Sequence, residues 1–95
     1  MMTRDILAML KSNLQIIGNT WNEYLTQLIE VSKREIRREG AYLSKNNIDD
    51  VNLVVMYASY LYRKRNDGGP MPRMLRYALN NKIFSQKTEV DEDDL

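Results

Sequence analysis

Five cations, Arg63, Lys64, Arg65, Arg73 and Arg76, fall within fourteen residues on either side of a Gly68-Gly69-Pro70-Met71-Pro72 break. The first three also favour a helix C-terminus, but the total exceeds what capping demands. Such a cluster suits phosphate or the carboxylates of a partner. A second basic series, Lys33, Arg34, Arg37 and Arg38, lies by helical spacing on the side turned away from Leu25, Leu28 and Ile29. It reads either as a solvated helix end, with Glu30 placed to pair with Arg34, or as a contact with nucleic acid or an acidic partner. Six of the eight aromatic residues are tyrosine, and Tyr57, Tyr60, Tyr62 and Tyr77 sit in the same region. Tyrosine beside arginine can stack on single-stranded bases. On so apolar a segment, a place in the core or at a subunit interface is the expectation.

Catalytic chemistry is poorly served. The chain has no histidine and no cysteine, which removes the commonest general base, zinc ligation and thiolate or disulfide chemistry. Asp49 and Asp50 are adjacent at a helix start and lack a clustered third acid. The acidic end of the chain lacks the spacing and glycine turn of a calcium loop. Gly68-Gly69 is not followed by Lys-Ser/Thr, so no phosphate loop is present. The expectation is a protein that is not an enzyme, with no catalytic, metal-binding or cofactor-binding residue and no cofactor.

The net charge of +1 conceals a division. Residues 1–86 carry 13 Lys/Arg against 8 Asp/Glu, a net of +5, whereas 87–95 carry Lys87 against five carboxylates, a net of −4. One helical domain over 1–86 and a disordered acidic tail over 87–95 are expected. The tail either aids solubility or visits charged partners or its own domain. No secretory signal is legible at the N-terminus, and the longest apolar run is too short to span a bilayer. A soluble protein made in the cytoplasm, with no membrane partner, is expected.

Four helices have to position these residues. Thr3 caps the first, with Ile6, Leu10, Leu14 and Ile17 at helical spacing and Gly18 ending the run. Thr20-Trp21-Asn22-Glu23 reads as a capping box for the second, which runs to about Glu39 and closes at Gly40. Asn47 or Asn46 caps the third, which ends at Asn66-Asp67-Gly68-Gly69. Pro72 opens the fourth, over Pro72 to Asn81, with Met74, Leu75, Ala78 and Leu79 on one face and Arg73, Arg76, Tyr77 and Asn80 on the other. The fold class is all-α, a small four-helix domain with the third helix central. From Val51 to Tyr62 only Asn52 and Ser59 are clearly polar. A helix apolar nearly all round must be covered on all sides. Three partner helices are expected to fall short, leaving other subunits to supply the remainder.

The stretches TQLIEVSKREIRREG and IDDVNLVVMYASYLYRKRNDGGPMPRMLRYALNN, in this order and total length, resemble the small phage head–tail connector proteins, also called head completion or adaptor proteins and sometimes DNA-packaging proteins. The resemblance covers about Thr20 to Phe84 and does not extend to the first helix. It implies an all-helical virion protein of the phage neck, forming a ring of twelve copies below the portal. The ring would extend the DNA channel, without reading sequence, to a stopper or tail-completion protein. On that reading Tyr57, Tyr60, Tyr62, Arg63, Lys64, Arg65, Pro70, Pro72, Arg73, Arg76 and Tyr77 would serve portal and subunit contacts. Lys33, Arg34, Arg37 and Arg38 would face DNA or a charged partner. The fourth helix, pivoting at Gly68-Gly69, would be a docking arm. Two alternatives stand beside it: a small helical DNA-binding or regulatory protein of a phage or prophage, and an inhibitor of a host enzyme.

Overall fold

The computed structural model describes the backbone of residues 3–44 and 46–94, and the side chains of 5–44 and 46–86. Its four helices are α1 (Thr3–Leu14), α2 (Asn22–Arg38), α3 (Ile48–Asp67) and α4 (Arg73–Asp94). The described residues contain no strand. The architecture is all-α, with α3 packed against each of the other three helices and α1 also against α2.

Helix α1 stops short of Gly18. Gln15 adopts a left-handed conformation (φ 59°), and the Ile16 N–H donates to the Lys11 carbonyl at 2.9 Å. Together these close the last turn as a glycine would, at a backbone cost of about 1 kcal/mol. The Lys11 ammonium then donates to the Gly18 carbonyl and to Asn19 Oδ1. Ile17, expected on the core stripe, is fully exposed because the helix has ended before it.

The expected capping box of α2 does not form. Trp21 is the N-cap and makes no side-chain cap hydrogen bond. The ring of Trp21 instead meets Tyr24 edge-on with centroids 6.1 Å apart, and the Arg65 guanidinium lies over both rings at 5.3 and 5.0 Å. Such stacking contributes about 0.5–1 kcal/mol at exposed sites. It ties the start of α2 to the end of α3. At the other end Gly40 takes φ 106°, as its position suggested.

Asn47 caps α3, its Oδ1 accepting from the Asp49 N–H at 2.8 Å and the Asp50 N–H at 3.4 Å. Gly68 closes it in the left-handed region. Val51, Leu53, Val54, Val55, Tyr57 and Ala58 are buried, joined by Ile6 and Leu10 of α1, Leu25, Ile29 and Ile36 of α2, and Leu75 and Leu79 of α4. Of the two polar residues in the apolar run, Ser59 is buried and donates its hydroxyl to Asn13 Oδ1 of α1 at 3.0 Å. Between Asp50 and Tyr62 only Asn52 is exposed. Most of α3 is therefore covered within its own chain, contrary to the expectation of a large shortfall, with Met56, Tyr60, Leu61 and Tyr62 left half-buried.

Helix α4 is held against the domain from Leu75 to Gln86. Leu75 and Leu79 enter the core. Arg76 pairs with Glu39 at 2.7 Å and Lys82 with Asp50 at 3.0 Å. Gln86 donates to the Gly40 carbonyl at 3.0 Å and accepts from the Tyr42 N–H. These contacts carry the helix past the expected end at Asn81. They also pack it against the domain rather than leaving it extended from the Gly68-Gly69 hinge. The expected disordered tail, 87–95, lies outside the residues whose side chains are described.

Candidate functional site

The five-cation cluster is not one patch. Arg65 is engaged with Trp21 and Tyr24, and Arg76 with Glu39. Lys64 lies 5.7 Å from the centre of the Tyr60 ring. Arg63 and Lys64 line a cleft of about 320 Å³, together with Met56, Tyr60, Asp67, Pro70, Pro72 and Met74. Met56 also lines a second cleft of about 470 Å³, whose walls include Asp49, Asn52, Asn81 and Lys82. The exposed α3 residues Asp49, Asn52, Arg63 and Asp67 recur at helical spacing with half-buried Met56. This seam of α3 is polar, and it offers a partner little apolar area.

The tyrosines separate as well. Tyr57 is only 7% exposed and meets Tyr60 edge-on, with centroids 5.9 Å apart. Burial, then the carboxylates of Glu39 and Glu35, raise its pKa above the ordinary tyrosine value, while Arg76 opposes them. It is a core residue, which corrects its place among interface candidates. The Arg76 pKa is raised mainly by the hydrogen bond from its guanidinium to Glu39. That pair closes the end of α2 onto α4, so Arg76 does not face outward as the face assignment had it. Tyr60 and Tyr62 are half-buried.

What remains outward is the far side of α4. Arg73, Tyr77, Asn80 and Phe84 are exposed at spacings that align them along one side of a helix, while Met74 and Asn81, also exposed, stand at its edge over the two clefts beside α3. Met74 is 74%, Tyr77 61% and Phe84 72% exposed. Met74, expected on the inner face with Leu75, is instead exposed, because the helix is rotated so that Leu75 and Leu79 take the core. Pro70 and Pro72 are exposed at the entry to this helix. Arg73 carries no ion pair among the described residues.

On α2 the basic series splits. Glu30 pairs with Lys33 at 3.4 Å rather than with Arg34, and Arg38 pairs with Glu35 at 3.1 Å. Arg34 and Arg37 are exposed, with no ion pair among the described residues.

Sequence reasoning missed a buried carboxylate that joins α3 to α4. Asp50 is buried, accepts from the Ser44 N–H at 2.8 Å and pairs with Lys82. Its adjacency to Asp49 suggested a capping charge. Only the chain reversal, which brings α4 back along α3, reveals its partner. Among the described residues no group of three acidic, histidine or cysteine side chains is arranged to hold a metal, and no helix is long and apolar enough to cross a membrane. No family model, curated protein or solved structure matches the chain.

Proposed function

We propose that the chain is a structural subunit of a tailed-phage neck, a head–tail connector. Twelve copies would form a ring below the portal, extend the DNA channel and receive a stopper or tail-completion protein. The observation that carries the reading is the outer face of α4. Three large apolar side chains, Met74, Tyr77 and Phe84, are exposed along this helix of a 95-residue chain, and exposed apolar groups gathered together mark contact surfaces. The residue types favour assembly over catalysis, since neither histidine nor cysteine is present. DNA in the channel would be met through its backbone without base reading, because a lining must let every sequence pass. Sedimentation with and without purified portal particles tests this. The chain should travel with the portal; a chain left at the top of the gradient at every ratio overturns the reading.

The exposed pair Arg34 and Arg37 favours a second reading, a small DNA-binding protein of a phage or prophage. It predicts tight binding to a preferred duplex, whereas the connector reading predicts weak, salt-sensitive binding that is equal on all sequences.

A further inference from the structure

We propose that the cleft between the end of α3 and the start of α4 binds one nucleotide, either free or at the 5′ end of a single strand. The inference rests on that cleft and not on the neck assignment. The cleft holds about 320 Å³, at the lower end of the roughly 300–1,000 Å³ usual for ligand sites. It has room for one nucleotide and not for a polymer.

Three kinds of group on its walls match the three parts of a nucleotide. The first is a pair of cations. Arg63 and Lys64 are adjacent and exposed, and neither has an ion pair among the described residues. The chain has no phosphate loop, so a phosphate would be held by side chains, the Arg63 guanidinium as a fork and the Lys64 ammonium as a point charge. The second is an aromatic ring. Tyr60 is half-buried, and Lys64 Nζ lies 5.7 Å from the centre of its ring, within the span from phosphate to base in one nucleotide. A phosphate drawn to Lys64 therefore brings its base against Tyr60, and stacking there tolerates any base. Met56, Met74 and Pro70 add apolar wall for the flat body of the base.

The third group separates a nucleotide from a simple anion. Asp67 lines the same cleft, one helical turn from both cations, and pairs with neither. In a plain anion site a carboxylate only repels. Beside a bound phosphate and a stacked base it is an acceptor for sugar hydroxyls, the role an acidic residue takes toward ribose in dinucleotide sites. The 2′-hydroxyl makes that contact chemically testable. Asn13, also on the wall, accepts from the Ser59 hydroxyl through Oδ1 at 3.0 Å. Its amino group is left to donate to an acceptor on the base edge.

Isothermal titration of the full chain with adenosine 5′-monophosphate (AMP) tests this, beside dAMP, adenosine and inorganic phosphate. AMP should bind with a Kd of roughly 100 µM. The deoxynucleotide should bind several-fold more weakly, and adenosine and inorganic phosphate at least about tenfold more weakly. Arg63→Ala should weaken AMP about tenfold, and Tyr60→Leu roughly five- to fiftyfold, with unchanged circular dichroism. Asp67→Ala should abolish the preference for AMP over dAMP and strengthen inorganic phosphate. A 5′-phosphorylated tetraribonucleotide identifies the source: binding about tenfold or more tighter than AMP assigns a strand end, and any weaker binding assigns the free nucleotide. Inorganic phosphate bound as tightly as AMP, equal binding of AMP and dAMP, or no AMP binding at about 1 mM would overturn the inference. So would AMP affinity unchanged by Arg63→Ala, an exposed position that decides the matter even where Tyr60→Leu fails to fold. Portal sedimentation is scored separately and without nucleotide, so either reading can fail while the other stands.

Discussion

Helices α3 and α4 exchange the roles their compositions suggest. The third helix is the most apolar stretch of the chain, and every apolar residue between Asp50 and Tyr62 is buried or half-buried beneath α1, α2 and α4. Its open seam is polar. The fourth helix is less apolar, yet it stands Met74, Tyr77 and Phe84 in solvent. Apolar content therefore does not locate a contact surface. Exposed apolar area is the better guide, and here it gathers on α4.

Substitutions can break or sharpen that contrast. Leu79, fully buried, joins α4 to the core, and Leu79→Ala should destabilise by about 2–5 kcal/mol in urea unfolding. An effect below that range would mean that α4 is only loosely attached. Asp50→Ala removes an acceptor from the Ser44 N–H and a partner from Lys82. It should cost about 1.5–3 kcal/mol, as charged hydrogen bonds do. A double-mutant cycle with Lys82→Ala checks that the pair is coupled. Asn47→Ala removes the cap of α3 and should cost about 1 kcal/mol.

A smaller effect concerns pH. The Tyr57 pKa is raised above 10.0, chiefly by burial, so its neutral form favours the fold. That contribution is complete below the unfolded tyrosine pKa and is lost as pH rises through the higher folded value. Unfolding midpoints of the wild type should therefore fall more steeply above about pH 10 than those of Tyr57→Phe. Parallel curves would place Tyr57 in a more solvated site than its burial indicates.

The legible part of the molecule was the part written in local code. Asn47, Gly40 and Gly68 marked helix ends through residue chemistry that acts within a turn, and periodicity assigned four helices with the third central. Three features escaped that code. The left-handed Gln15 ends α1 where no glycine signals it, which strands Ile17 in solvent. Arg65 reaches Trp21 and Tyr24 across the bundle, and Asp50 meets Lys82 from 32 residues away. Both are products of packing. The candidate face suffered similarly: Tyr77 and Arg73 were assigned outward and are outward, but Met74 and Arg76 exchanged sides because one helix register satisfies both Leu75 and Leu79.

On the proposed function, the outer face of α4, and not the apolar third helix, makes the contact on which assembly depends. The most direct test compares Tyr77→Glu with wild type by sedimentation with portal particles, beside urea unfolding of each. Tyr77→Glu should unfold within about 0.5 kcal/mol of wild type and no longer travel with the portal. Undiminished co-sedimentation of Tyr77→Glu, with wild type bound in the same gradient, would contradict it.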